Sequence, residues 1–156
     1  MPDAIRTDIL EALESTLEGI TTGAGYRTTL ANVDFAARDW VDVGSGERNW
    51  VGIVAQDETI TDFPQRNEVL WRVDLVCHLT PSTNTPLGHI TAIADLMTDI
   101  KRAIYASNGD LGVVGVHYVR IVSKSGTESA PAAVEEAIAS AVIGLEIKFF
   151  EDISDT

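Results

Sequence analysis

The segment Arg66–Thr80 constrains the fold more than any other part of the chain. It reads RNEVLWRVDLVCHLT, in which alternate positions from Val69 to Leu79 are apolar or cysteine, and most of the positions between them are polar or charged. A period of two predicts a long strand with one face on a core and the other face in water. Such a strand leaves a row of polar side chains available to a partner, which favours a protein that assembles over one that catalyses.

Length and charge limit the class of protein. A chain of 156 residues is long enough for one domain, residues 1–156, with a substantial core. The net charge of -13, from 24 acidic and 11 basic residues, argues against binding nucleic acid through its phosphates. No apolar run approaches the roughly 18 residues of a membrane span, and the acidic N-terminus resembles neither a signal nor a transit peptide. The single Cys77 excludes an internal disulfide and is expected to be a buried, inert thiol in a reducing compartment.

The remaining periodicity predicts two helices and further strands in the order α-β-β-β-α-β-β. The predicted helices cover 3–18 and 87–106, and the predicted strands cover 26–35, 50–56, 68–80, 113–123 and 141–150. Thr85 and Pro86 form a start signal for the second helix. Each helix has one apolar stripe, so both are expected on one face of a mixed sheet of about five strands, in the α/β (α+β) class. Residues 151–156 are expected to be a frayed tail.

The stripes also predict which side chains form the core. In the second helix the apolar stripe runs through Ile90, Ile93, Met97, Ile100 and Ile104. The side chains predicted to be buried together are Ile9, Leu13, Val73, Leu75, Ile93, Met97, Ile100, Leu145 and Ile147. Two segments, 36–49 and 57–65, are interpreted as loops, and both are long for a compact domain. Residues 132–139 are compatible with either a helical turn or an extension of the last strand.

Motifs that carry chemistry are not found in the sequence. His78, His89 and His117 do not stand at metal-binding spacings from other ligands, and the glycines at 23 and 25 indicate a turn rather than a nucleotide fingerprint. The neighbouring acids at 57–58 and 135–136 would need a cleft to act as acid and base. We therefore predict a protein that is not an enzyme and has no catalytic, metal or cofactor site.

Several segments taken together resemble the tail terminator proteins of siphophages, also called tail completion or tail-to-head joining proteins. The opening RTDILEALESTLEGITTGAGYRTTLANV has the Ile/Leu helix of that family followed by its GITTxxGY segment and a strand. The middle has a long strand, VLWRVDLVCHLT, a short loop and a helix of the form AxxxLxxDIKRAI over 92–104. The chain closes on VIGLEIKFF, like the last strand of the family. The resemblance spans most of the chain but not 36–49 or 57–65.

The resemblance implies a structural virion protein with a mixed α/β fold. Proteins of this family form a hexameric ring on the last ring of the tail tube, stop its growth and meet the head completion proteins of the neck; gene transfer agents use similar parts. The implied location is the head–tail junction of a virion assembled in the host cytoplasm, and no catalytic residues carry over. Two alternatives are another neck or tail-tube component, and a small intracellular ligand-binding or enzymatic α/β domain.

The two predicted loops and the half-exposed strand are the candidate contact surfaces. A ring needs contacts between two different patches of one protomer, and the few arginines of an acidic chain suit the carboxylates of a neighbour. The predicted subunit or neck interface comprises Arg38, Arg48, Phe63, Arg66 and Arg72. For any one of these residues, an exposed and solvated side chain is the simpler alternative.

The charge leads to a second prediction, about the channel of the ring. Genome DNA would pass through this lumen without specific binding, and an acidic lining would repel it over about 8–10 Å. The candidate lining residues are Asp39, Asp42, Glu47, Asp57, Glu58 and Asp62. The alternative is that the acidic residues lie on the outer wall and maintain solubility.

Overall fold

The computed structural model describes residues 4–44, 46–125 and 137–152. The helices and strands, in chain order, are α1 (Ala4–Glu18), β1 (Asn32–Asp34), β2 (Trp50–Phe63), β3 (Arg66–Leu79), α2 (Pro86–Ala106), β4 (Val116–Ser125) and β5 (Ala139–Asp152). Short 3-10 turns occupy Thr22–Ala24 and Trp40–Asp42. The predicted order α-β-β-β-α-β-β is confirmed.

The strands form one mixed sheet in the order β1-β2-β3-β5-β4. β1 is parallel to β2, and every other neighbouring pair is antiparallel. β3 pairs with β5 along its whole length, from Arg66 opposite Asp152 to Leu79 opposite Ala139. This pairing explains why the alternation in β3 is so long, because the strand lies in the middle of the sheet with both neighbours hydrogen-bonded to it.

Both helices pack on the same face of this sheet and form one core with it. Eight of the nine predicted core side chains are buried in this cluster, and Met97 is half-buried against it. Cys77 is fully buried, and burial raises the pKa of its thiol to about 12. The predictions of helices on one face, of the core and of an inert thiol are confirmed.

The buried stripe of α2 is shifted by one position from the predicted one at two points, near Ile90 and near Met97. His89 and Leu96 are buried, whereas Ile90 is 45% exposed. The helix tolerates His89 in the interior because its Nε2 is hydrogen-bonded to Asn84 Oδ1 at 2.9 Å, which offsets part of the cost of burying a polar ring. The start of the helix is as predicted, since the Thr85 hydroxyl accepts a hydrogen bond from Gly88 N at 3.0 Å ahead of Pro86.

The prediction of a loop over 57–65 is wrong. β2 continues to Phe63, the chain turns at Pro64 and Gln65, and β3 begins at Arg66, which makes a long β2–β3 hairpin. The register shifts between Ala55 and Glu58, so a β-bulge interrupts β2. Polar residues are compatible with this strand because its outer side faces water rather than another strand. Charged side chains cost little free energy when they face water.

The first predicted strand is mostly not a strand. Only Asn32–Asp34 pairs with β2. Earlier in this segment, the amides of Arg27 and Thr28 donate hydrogen bonds to the buried carboxylate of Asp99 instead of to a strand. A side-chain acceptor on α2 therefore competes successfully with sheet pairing.

The last two strands differ in their bounds from the predicted ones: β4 begins and ends later, and β5 is longer at both ends. β4 covers Val116–Ser125, and β5 covers Ala139–Asp152. The predicted frayed tail therefore begins no earlier than residue 153, and 153–156 lie outside the described residues. The acidic pair at 135–136 and most of 132–139 lie outside them as well, although Ala139 is the first residue of β5.

Candidate assembly surface

The face of the sheet opposite the helices, called here the open face, carries balanced charge. The strand register places four cationic and four carboxylate side chains on it: Arg66, Arg72, Arg120, Lys148, Glu68, Asp74, Glu146 and Asp152. These charges sum to zero, whereas the chain as a whole carries -13. The acidic excess of the chain therefore lies outside this face.

Ion pairs across the strands account for much of this balance. Lys148 Nζ lies 2.7 Å from Glu68 Oε1, and Arg120 Nη2 lies 2.8 Å from Glu146 Oε1. The Tyr118 hydroxyl donates a further hydrogen bond of 2.7 Å to Glu146. The hydrogen bond from Tyr118, together with Arg120, lowers the pKa of Glu146, and the Glu68 carboxylate raises the pKa of Lys148. Each pair joins neighbouring strands, as cross-strand pairs do.

Gly144 leaves space for the Arg72 side chain to lie across the open face. The Arg72 guanidinium crosses β5 and donates a hydrogen bond to the Ser123 hydroxyl on β4. A Cβ atom at position 144 would collide with both groups. Arg72 Nε also lies 3.5 Å from Asp74 Oδ1, a charge contact rather than a hydrogen bond. The predicted interface residue Arg72 is thus held in place by its own chain and remains accessible on the open face.

One end of the open face, called the base, is covered by the loop 36–49. Trp50 and His78 stack there with ring centroids 5.6 Å apart, and both are buried. Arg38 from the loop lies over the Trp50 ring at 5.7 Å. Gly52 is required beneath the loop, because a side chain there would collide with the Ala36 carbonyl. The strand face that the sequence predicted to be in water is therefore shielded from water at this end.

Polar contacts of His78 fasten the loop to the sheet. Its Nε2 lies 2.6 Å from the Arg38 carbonyl oxygen, which can only accept, so Nε2 carries the hydrogen. Its Nδ1 lies 2.8 Å from the Ser140 hydroxyl on β5. Burial lowers the pKa of His78, and the neutral imidazole thus satisfies both contacts without a buried charge.

Two predicted interface residues, Arg38 and Arg48, and three predicted lumen residues, Asp39, Asp42 and Glu47, lie within the same loop. Arg38 Nη1 pairs with Glu47 Oε2 at 2.8 Å, which raises the pKa of Arg38 and lowers that of Glu47. Arg48 Nη1 donates to the Ala137 carbonyl at 3.5 Å. Arg38 and Glu47 therefore stabilise the loop itself, a role that the sequence did not indicate.

The other end of the open face, at the tip of the β2–β3 hairpin, is exposed. Phe63 is 43% exposed, and Ile60, on the helix side of the same strand, is 51% exposed. Arg66 lies over the Phe150 ring at 4.5 Å. The structure thus places the predicted residues Phe63, Arg66 and Arg72 on the open face, with Phe63 opposite Arg66 at the tip and Arg72 in the middle of β3.

On each side of the sheet, a strand edge is left unpaired among the described residues. β1 covers β2 only from Trp50 to Gly52, which leaves Ile53–Phe63 as the outer edge of β2. β4 pairs with β5 alone, which leaves Val116–Ser125 as the outer edge on the opposite side. Unpaired edges are templates for pairing with another chain.

Arg6, which sequence reasoning did not single out, connects α1 to the hairpin. Its guanidinium pairs with Glu58 Oε1 at 2.7 Å and with the Glu151 carboxylate. The hydrogen bonds that Arg6 donates to the carboxylates of Glu58 and Glu151 raise its pKa. Glu58, a predicted lumen residue, is therefore held on the helix side of the sheet. The other predicted lumen acids outside the Arg38–Glu47 pair are exposed: Asp39 and Asp42 in the loop, and Asp57 and Asp62 on β2.

Two of the sequence segments that carry the family resemblance are in contact. Asp99 accepts hydrogen bonds from Arg27 N at 3.1 Å and Thr28 N at 2.8 Å. Arg102 Nη1 donates to the Gly25 carbonyl at 3.1 Å and lies over the Tyr26 ring at 5.1 Å. The DIKRAI segment of α2 thus holds the turn after GITTGAGY. The spacing of an acid and a cation three residues apart on one helix face is the signal that could have indicated this contact.

A polar cleft of about 280 Å³ lies between this turn and the start of α2. Threonine, serine and asparagine side chains dominate its lining, and Arg27 Nη1 and Asp95 Oδ1 form an ion pair of 3.1 Å beside it. No group of three His, Cys, Asp or Glu residues that could hold a metal ion occurs in 4–44, 46–125 or 137–152. Within the same ranges, no helix is long and apolar enough to cross a membrane.

Comparison with known proteins does not assign a family. The chain matches no protein-family model and no curated protein sequence.

Proposed function

We propose that this protein is a tail terminator: a ring-forming virion protein that caps the tail tube of a siphophage, stops its polymerisation and joins the tail to the neck. The observation that carries the proposal is an open sheet face with balanced charge, flanked by two unpaired strand edges. A protomer of this kind has surface for contacts with copies of itself on both sides. Its place would be the head–tail junction, after assembly in the host cytoplasm.

The contact between the family-like segments supports the proposal independently. Asp99 and Arg102 belong to the helix segment that resembles the family, and they bind the turn that follows the other family-like segment. Residues of two segments on which the resemblance rests thus share one structural task. A joint role supports the view that the two segments were matched together rather than each by chance.

A test of this proposal begins with the native mass of the full-length chain, followed by negative-stain electron microscopy. We expect rings of about six copies with a central channel, formed alone or on tubes. Co-expression with the tail-tube protein of the same genome should shorten the tubes and place a ring at one end. A chain that stays monomeric and leaves tube length unchanged would overturn the proposal.

Two alternatives give different results in the same experiment. Another neck or tail-tube component would assemble without limiting tube length, or would be incorporated along the tube. A ligand-binding or enzymatic domain would remain a monomer, and its ligand would occupy the polar cleft beside Arg27 and Asp95. Thr28→Trp, which fills that cleft, would then abolish ligand binding, whereas a terminator would still cap tubes.

We also propose that the lumen of the ring is net acidic and that DNA passes without binding. Asp39, Asp42, Asp57 and Asp62 are the exposed candidates. A gel-shift assay at about 0.15 M salt, a near-physiological ionic strength, should show no complex. Tight, salt-sensitive binding, or a lumen lined by arginine and lysine in the ring structure, would contradict this part of the proposal.

A further inference from the structure

The outer edges of β2 and β4 carry opposite charge. The edge Ile53–Phe63 contains three carboxylates, at 57, 58 and 62, and no cation. The edge Val116–Ser125 contains two cations, Arg120 and Lys124, and no carboxylate. Since these are the two sides of one sheet, each protomer presents an acidic edge on one side and a basic edge on the other.

Contacts within the chain leave part of this charge available. Glu58 is held by Arg6, so Asp57 and Asp62, both exposed, dominate the acidic edge. Arg120 shares its charge with Glu146, yet its side chain is 61% exposed. Exposed carboxylates thus remain on the β2 edge, and an exposed guanidinium remains on the β4 edge.

Strand direction is also compatible with edge-to-edge pairing. β2 is antiparallel to β3, β3 to β5, and β5 to β4, so β2 and β4 run in opposite directions. A rotation about an axis along the strands preserves strand direction. In a ring of that kind, the β2 of one copy meets the β4 of the next as an antiparallel neighbour, and the sheet can continue across the contact.

We infer that neighbouring copies join by pairing the acidic outer edge of β2 with the basic outer edge of β4. This inference rests on the proposed ring and names the contact that builds it. Like edges would repel each other, because β2 against β2 opposes carboxylates and β4 against β4 opposes cations. Complementary charge thus favours the head-to-tail contact that closes into a ring over a two-fold dimer.

The irregular parts of both edges limit the contact to short regular runs. Bulges interrupt β2 between Ala55 and Glu58, and they interrupt β4 on both sides of Tyr118–Ile121. Bulged edges resist indiscriminate pairing. The longest regular runs on the two edges are Glu58–Phe63 and Tyr118–Ile121. Ile60 and Ile121 both lie on the helix side of these runs, so pairing would continue the apolar layer between protomers and cover the exposed Ile60.

Thiol cross-linking between chains that each carry one introduced cysteine tests the pairing directly. Thr61→Cys places a thiol on the β2 edge and Ser123→Cys places one on the β4 edge; the native Cys77 is buried and stays unreactive. With a short bis-maleimide, we expect cross-linked dimers when the two chains are mixed and few in either chain alone. Ser15→Cys on the exposed side of α1 is the matched control and should not cross-link to either chain.

Charge exchange provides a second, independent measurement. Asp57→Lys with Asp62→Lys reverses the β2 edge, and Arg120→Glu with Lys124→Glu reverses the β4 edge. Each reversal should raise the protein concentration for half-assembly by about tenfold or more. The chain with all four substitutions should recover most of the assembly. Glu11→Lys with Glu18→Lys makes the same change in charge on α1 and should leave assembly unchanged.

The outcomes separate this inference from the proposed function. Rings that cap tubes but give no mixed cross-link, with no recovery in the four-fold variant, would overturn the edge pairing and leave the terminator proposal in place. Cross-links within the Thr61→Cys chain alone would show a like-edge contact and overturn it as well. A chain that never assembles, even with the tube protein, would overturn both.

Discussion

The two ends of the open face are built from the same strands and differ in what covers them. At the base, Trp50 and His78 are buried beneath the loop 36–49 and are hydrogen-bonded or stacked within the chain. At the hairpin tip, Phe63 and Arg66 remain accessible on the same side of the same strands. The chain closes its own sheet at one end and leaves the other end open.

This difference assigns separate roles to the two ends. Side chains at the base serve the stability of the protomer, because each has a partner in its own chain. At the tip, removing a side chain should cost the protomer little and should affect only contacts with other molecules. The predictions below test that division, beginning with the largest expected change in the free energy of unfolding.

Trp50→Ala should destabilise the protomer by about 3–5 kcal/mol, since it empties the buried space under the loop. Urea unfolding followed by circular dichroism measures this change. The matched substitution Phe63→Ala, at the other end of the same face, should cost no more than about 0.5 kcal/mol. Equal costs at the two positions would remove the distinction between the ends.

The core beneath both ends should be nearly as sensitive. Leu75 on β3 and Ile100 on α2 are buried in the layer between sheet and helices. Leu75→Ala or Ile100→Ala should lower the free energy of unfolding by about 2–5 kcal/mol, and Leu87→Ala, at an exposed position of α2, serves as the control. A cost below about 1 kcal/mol at both core positions would contradict the packing described.

Acid should weaken the base of the face before the tip. Burial lowers the pKa of His78 below its ordinary 6.5 in the folded chain, so the unfolded chain binds a proton more readily. The stability that the neutral imidazole provides is present above pH 6.5 and is lost as the pH falls below it. Glu47 and Glu146 have lowered pKa values and titrate below 4.5, outside this range.

The measurement for this prediction is thermal unfolding between about pH 5.5 and about pH 7.5. The midpoint of the native chain should fall on acidification, and His78→Gln should flatten that dependence. A native chain whose midpoint rises towards pH 5.5 would have the wrong sign for a buried neutral histidine.

Phe63 is the position at which we expect the smallest effect on stability and the largest effect on assembly. Phe63→Ala should leave the protomer folded and raise the concentration needed for half-assembly, measured by analytical ultracentrifugation. Tyr105→Ala, at an 85% exposed position on α2, should change neither quantity. Unimpaired assembly of Phe63→Ala would remove Phe63 from the predicted interface.

The periodicity of apolar residues predicted the layers of the fold well, because burial of one face directly determines which positions of a strand or helix are apolar. The alternation in β3 and the stripe of α1 both follow from one face being covered. The hairpin was missed because Asp57–Gln65 was interpreted from its charged and turn-forming residues. On an edge strand those residues face water, so local composition is a poor guide there.

Contacts distant in sequence account for most of what the sequence did not predict at the candidate surface. Arg6 pairs with a carboxylate 52 positions away, and Arg27 and Thr28 donate to Asp99. The first part of the predicted strand over 26–35 is not a strand for that reason, and only Asn32–Asp34 joins the sheet. Phe63, Arg66 and Arg72 were predicted from exposure and charge, and the structure places all three on the open face. Arg38 has the same chemistry but is engaged by its own loop, a distinction that only tertiary contacts reveal.

Amide hydrogen exchange at rising protein concentration tests the central claim most directly. If copies join through the outer edges of β2 and β4, amides in Ile53–Phe63 and Val116–Ser125 should become protected as assembly proceeds. Amides at the base, in 36–49 and Trp50–Gly52, should exchange at the same rate throughout. Protection of the base or of the helices on assembly, with both outer edges unchanged, would contradict the account.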